Sequence, residues 1–157
     1  MKSIKLAAVA LALFGSALSA HAQAYVGGDL NTTSVDGWSD ATSFGVYAGY
    51  EFNSNLAAEV AYRKLGTFDS GVNSIKLNMS QVSAVASLPL NDQFKVFGRL
   101  GYGFLNVSGY NSYNVDNGVI YGAGAQFNVT KSVGIRGEFT RIASDATQVT
   151  LGVNYKF

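Results

Sequence analysis

Cysteine is absent from the 157 residues, so no disulfide framework and no thiolate metal site holds this chain together. Proline occurs once, and the only histidine is His21. Charged residues make up 13% of the chain, about half the usual share. The formal net charge of +1 excludes the basic surface with which a nucleic-acid binder meets phosphates. After residue 22 no stretch approaches the ~18 consecutive apolar residues of a transmembrane helix. Disorder is excluded as well, because 48% of the residues are apolar and charge is low. What the chain does have is 18 glycines, 9 tyrosines and 10 phenylalanines. That composition suits a β protein whose outer surface need not face water.

The first 22 residues read as an address. Lys2 and Lys5 precede an unbroken apolar run at 6–14 (LAAVALALF), and small residues then lead to Ala20-His21-Ala22. This is the three-part layout of a secretory signal peptide, with cleavage expected after Ala22 and Ala24 as the second candidate. The remaining domain, 23–157, loses Lys2 and Lys5 from the 11 basic residues, leaving 9 against 10 acidic ones, and contains no histidine. Ser–His and Cys–His catalysis are thereby excluded, as is a His-ligated metal. The expectation is a non-enzymatic protein with no cofactor.

From Ala24 onward the chain alternates with period two, the signature of strands with two unlike faces. Phe44, Val46, Ala48, Tyr50 and Phe52 oppose Ser43, Gly45, Tyr47, Gly49 and Glu51. Val149, Leu151, Val153, Tyr155 and Phe157 oppose Gln148, Thr150, Gly152, Asn154 and Lys156. The same template fits 24–31, 56–63, 95–104, 119–129 and 133–140. One segment, 75–88, changes phase between Met79 and Val82, and a β-bulge near Ser80 or Gln81 would reconcile its halves. Eight strands of roughly ten residues result. Short turns are expected at 53–55, 89–93 and 130–132, and longer loops at 32–41, 66–74 and 106–118. The connection at 143–146 is short too.

The two faces decide how the sheet closes. A water-soluble barrel would carry many Lys, Glu and Asp on its polar face. Here that face is Gly, Ser, Thr and Asn with few charges, too sparse for a solvated surface. Turned inside out, the apolar face meets lipid and the polar face fills a narrow lumen. Glycines at 27, 45, 49, 101, 103, 122, 124 and 152 make room there for Tyr47, Phe97 and the arginines. Eight strands give an interior just wide enough for side chains to fill, and closure leaves no unpaired edge in lipid. The predicted fold is an all-β, eight-stranded antiparallel up-and-down transmembrane β-barrel. Outward aromatics at both strand ends read as two interfacial girdles.

The chain ends Thr150-Leu151-Gly152-Val153-Asn154-Tyr155-Lys156-Phe157. A polar residue, a glycine two on, an aromatic and a terminal Phe resemble the assembly signal of bacterial outer-membrane barrels. With the leader and the eight strands, the chain resembles the small OmpA/OmpX-type outer-membrane β-barrel family over essentially all of 23–157. The resemblance implies Thr150, Gly152, Tyr155 and Phe157 as the barrel-assembly signal, read by the assembly machinery after escort by periplasmic chaperones. It implies residence in the bacterial outer membrane with both termini periplasmic. It leaves function open, since members include structural proteins, adhesins, narrow channels and a few lipid-modifying enzymes. A monomer without nucleic-acid partners is expected.

Charges are the candidate functional residues. Asp29, Glu51, Glu59 and Glu138 fall on the inward phase with Arg63, Lys95, Arg99, Arg136 and Lys156. Charges in a narrow lumen must pair or hold water. One reading is a static salt-bridge plug. The other is a gate in which Arg136 or Arg99 exchanges between Glu51, Glu59 and Glu138 and opens a thin water path for ions or small solutes. Lys64 and Arg141 each lie two residues beyond an outward aromatic, Tyr62 and Phe139, and so continue the lipid-facing phase at the outer rim. Long cations there snorkel to the interface, where lipopolysaccharide phosphates are the nearest anions. The alternative is ordinary loop charge. The expected outer loops hold Asp36, Asp40, Asp69, Asp116 and Asp145 with Trp38, Tyr110 and Tyr113, either a solvated surface or a recognition surface.

Overall fold

A computed structural model describes residues 23–35, 41–70, 73–108, 114–142 and 146–157. The expected leader lies outside them, as do Asp36, Trp38, Asp40, Tyr110, Tyr113, Asp145 and the side chains of Asp69 and Asp116. Eight strands follow in chain order: β1 (Gln23–Val35), β2 (Ala41–Glu51), β3 (Leu56–Ser70), β4 (Asn73–Pro89), β5 (Phe94–Ser108), β6 (Asn114–Asn128), β7 (Val133–Ile142) and β8 (Ala146–Lys156). Each pairs antiparallel with the next, and β1 pairs with β8 from Tyr25↔Lys156 to Val35↔Ala146, closing the barrel.

Alternation sets which face is inside. Leu30, Leu100 and Leu151 point outward at 62–63% exposure, whereas Asp29, Glu59, Arg99 and Arg136 point inward at 5% or less. A barrel with leucines outside and ion pairs inside is stable only where the surroundings are hydrocarbon. Edge-on aromatic pairs sit on the outer face, Tyr50–Phe52 and Tyr155–Phe157 at strand ends and Tyr102–Phe104 within β5, with ring centroids 5.3–5.4 Å apart.

Three tight turns share one device. Asn53 Oδ1 accepts the N–H groups of Asn55 and Leu56, Asn91 Oδ1 those of Gln93 and Phe94, and Thr130 Oγ1 those of Ser132 and Val133. Each side chain thus satisfies backbone donors that a four-residue turn leaves open. All three lie at the end of the barrel that also carries Phe157, here called the turn end.

At the opposite rim the strands are longer than expected. Segments 66–74 and 106–118 are largely strand, not loop: β3 and β4 pair out to Ser70↔Asn73, and β5 and β6 out to Asn106↔Asn114. Beyond the hydrocarbon a strand needs only backbone partners, so Ser-, Asn- and Gly-rich sequence extends the sheet without apolar alternation. The β2–β3 ladder stops at Gly45↔Arg63 and the β6–β7 ladder at Ile120↔Ile142. The sheet of β3–β6 therefore stands higher than the rest of the rim.

The bulge expected near Ser80 or Gln81 is absent; β4 runs through both in register. Register shifts fall instead between Lys64 and Gly66, and between Gly103 and Leu105. The phase change in the sequence has another cause. Met79 is interior at 1% exposure, as are Gln81, Ser83 and Val85 on the same face. The lumen accepts apolar bulk near the loop rim, where Met79 and Ile120 are both buried beside Gly103.

Tyr25 is paired across from Gly49, and Tyr47 across from Gly27. Each ring lies over the opposing glycine, where a Cβ would collide with it. The two rings meet edge-on at 6.3 Å. Both positions need hydrogen as a side chain for close approach. Two outcomes are expected in urea unfolding from lipid vesicles. Gly49→Val loses about 1–3 kcal/mol by overpacking. Leu151→Arg loses about 2–4 kcal/mol despite its exposure, because the exposed side faces hydrocarbon; a neutral Leu151→Arg would mean that the outer face meets water.

Candidate functional site

The inward charges gather in three groups along the barrel axis. Nearest the loop rim, Asp29 of β1 is bridged by Arg63 of β3, whose Nη2 and Nε donate to Oδ2 at 2.9 and 3.1 Å. Gly45 of β2 lies between them, and a Cβ there would strike Arg63 Cγ and Asp29 Oδ1. Asn31 donates to Asp29 Oδ1 at 3.2 Å, and the Gln148 amide donates to Asn31 and Thr33.

The middle group is a closed ring of two carboxylates and two guanidinium groups. Arg99 Nη2 lies 2.5 Å from Glu59 Oε1, and Arg136 Nη1 2.7 Å from Glu59 Oε2. Arg136 Nη2 donates to Glu138 Oε2 at 2.8 Å. Arg99 Nε approaches Glu138 Oε1 to 2.6 Å as a contact of opposite charges rather than an aligned hydrogen bond. Side-chain exposure is 0–4% throughout the ring.

Neutral neighbours complete it. The Tyr25 hydroxyl donates to Glu59 Oε2 at 2.9 Å, Thr140 to Glu138 Oε1 at 2.9 Å, and Arg99 Nη1 to Ser83 Oγ at 3.1 Å. With its two guanidinium partners, Glu59 accepts four donors, the capacity of a carboxylate. The Arg136 guanidinium also lies over two aromatic rings, 4.4 Å from the Tyr47 centroid and 5.0 Å from that of Phe97. Gly124 makes way for the Phe97 ring.

At the turn end, Glu51 receives Lys95 at 2.7 Å and Lys156 at 2.8 Å. These side chains are 13–14% exposed, so this group alone touches solvent. It is also the one group out of balance, two cations on one anion. All nine inward charges named from the sequence thus have an ion-pair partner. Among the described residues no group of three or more His, Cys, Asp or Glu is placed to hold a metal ion.

The remaining candidates are spread over the barrel. Thr150 and Gly152 face inward and are buried, while Tyr155 and Phe157 face outward at 49% and 72% exposure. Lys64 is exposed on the outer face with its Nζ 4.8 Å from the Phe44 ring centroid, and Arg141 is exposed on the same face. The sequence did not single out Tyr25, Tyr47, Phe97, Ser83 or Thr140 as parts of the ionic ring. Tyr25, Tyr47 and Phe97 meet partners on strands that are not their neighbours, which strand pairing does not reveal, whereas Ser83 lies on the strand beside Arg99 and Thr140 two residues from Glu138.

Glu59 and Glu51 separate by burial. In equilibrium urea unfolding, Glu59→Gln should lose about 3–5 kcal/mol by stranding buried guanidinium charge. Glu51→Gln should lose about 1 kcal/mol or less, because both lysines reach water.

Residues 6–157 match the family model described as outer membrane protein beta-barrel domain. A search of curated proteins returns no significant match. Among solved structures, the attachment invasion locus protein Ail of Yersinia pestis, in complex with the heparin analogue sucrose octasulfate, is 21% identical with a TM-score of 0.62, over 87% of this chain and 97% of that one. Neisserial surface protein A is 16% identical with a TM-score of 0.63, over 87% and 97%. The N-terminal β-barrel domain of Pseudomonas aeruginosa OprF is 15% identical with a TM-score of 0.63, over 87% and 100%. At these identities the likeness is one of fold.

Proposed function

Because the chain belongs to the outer membrane protein beta-barrel domain family, we propose that it serves the bacterial outer membrane as a structural or surface-interacting barrel whose lumen is plugged by its own side chains. The observation that carries this reading is the ring of Glu59, Arg99, Arg136 and Glu138, closed on itself and buried on all sides. An ion entering the lumen would have to break at least one buried pair, which costs several kcal/mol. The gate that the sequence suggested requires Arg136 or Arg99 to exchange partners, and Arg99 is held between Glu59 and Glu138. Arg136 is held more closely still, by two carboxylates and two aromatic faces.

In this reading the tight turns and both ends of the barrel domain are periplasmic, and the tall sheet of β3–β6 faces outward. A surface-interacting role falls to that sheet. Lys64, below the tall end of β3, and Arg141, beside the end of β7, face outward and contact lipopolysaccharide phosphates; the barrel is monomeric.

Conductance tests the plug. The refolded domain, residues 23–157, should insert into a planar bilayer without producing reproducible current steps. Steps that change in Arg136→Ala or Glu138→Ala would replace this reading with that of a narrow gated channel. For the rim, lipopolysaccharide co-purifying with the barrel should fall in a Lys64→Ala/Arg141→Ala double variant, and unchanged retention would sink that contact.

A further inference from the structure

The outer face is not uniform. A shallow apolar trough of about 540 Å³ crosses β7, β8, β1 and β2, floored by Gly28 and walled by Leu30, Phe44, Ile135 and Leu151. A second trough of about 980 Å³ meets it at Gly28 and Val153. Leu30 pairs with Phe44 on one side and Leu151 on the other, so the wall follows a single line of the sheet. That line begins beside Lys64, whose ammonium lies over Phe44 and whose backbone carbonyl accepts the Ser43 hydroxyl of β2. Arg141 stands at the same rim on β7, the strand that bounds the other side. The rim is lower on β1, β2, β7 and β8 than on β3–β6, and Lys64 stands on β3 beside the step between the two.

We propose that this trough seats one acyl chain of a phosphorylated glycolipid, lipopolysaccharide, whose phosphate pairs with Lys64 at its head. The proposal deepens the rim contact above and rests on the loop rim facing outward. In a membrane the trough is filled by hydrocarbon in any case. What makes it selective is the cation at its top, because a chain lying along the trough brings its own headgroup to the rim. Lys64 supplies charge at the interface while its stem lies along apolar surface. Gly28 supplies depth: a side chain there would fill the groove, and the nearest atom to its Cβ would be the Gly45 carbonyl oxygen at 3.7 Å, an ordinary contact. Glycine at 28 is therefore not demanded by the packing of the barrel.

That freedom provides the test. Native mass spectrometry of the barrel in phosphatidylcholine nanodiscs would titrate lipid A, the acylated and phosphorylated anchor of lipopolysaccharide. Deacylated lipid A serves as a second probe, with circular dichroism verifying the fold. Lys64→Gln should weaken lipid A about fivefold, the worth of one cation near a charged surface, and should weaken the deacylated probe as well. Gly28→Leu should weaken lipid A several-fold and leave the deacylated probe unchanged. Unchanged lipid A binding in Gly28→Leu, with Lys64→Gln still weakened, would overturn the trough and leave the rim contact standing. Unchanged binding in both variants would overturn both.

Discussion

One carboxylate organises the interior. Glu59 is 1% exposed in a barrel whose outer face meets hydrocarbon, so it has neither bulk water nor lipid headgroups to solvate it. It survives as an anion because Arg99, Arg136 and Tyr25 saturate its oxygens. Each of those partners then needs its own support, and the support reaches most of the circumference. Arg99 comes from β5 and leans on Ser83 of β4; Arg136 and Glu138 come from β7; Tyr25 comes from β1 and Tyr47 from β2. Backbone ladders join neighbouring strands, whereas this ring joins strands across the lumen.

The price of such a ring is space, and glycine provides it. Two tyrosines lie flat over glycines on the adjoining strand, Phe97 leans into Gly124, and Arg63 reaches Asp29 across Gly45. Large and small residues alternate around the interior so that an eight-stranded lumen holds several long side chains at once. The outer face follows a different rule. It needs only apolar surface and interfacial aromatics, and therefore tolerates a depression at Gly28 that a packed interior would not.

Much of this was legible in the sequence because period two admits one assignment per strand. Asp29, Glu51, Glu59 and Glu138 could be set on one face with Arg63, Lys95, Arg99, Arg136 and Lys156, and the structure has them on that face. Their grouping was not legible. Glu59 and Arg136 are 77 residues apart and touch only because barrel closure brings β3 and β7 within reach across the lumen. Two local readings failed for definite reasons. The apolar chemistry of Met79 matches that of Val82 although their phases differ, and reconciling them takes a bulge that the strand does not have. The upper parts of β3–β6 read as loops because they lack apolar alternation, a signal that holds only where one face meets hydrocarbon. The three tight turns were located correctly, since Asn53, Asn91 and Thr130 carry the side chains that close them.

The central claim is that the interior guanidinium groups are fixed in place. Nuclear magnetic resonance of the barrel in detergent micelles, with nitrogen-15 in its arginines, measures this directly. The account predicts distinct Nε–H signals for Arg63, Arg99 and Arg136 that exchange slowly with water and show restricted rotation about the Nε–Cζ bond. Signals for these three that are averaged together, and exchange with water as fast as free arginine, would contradict it.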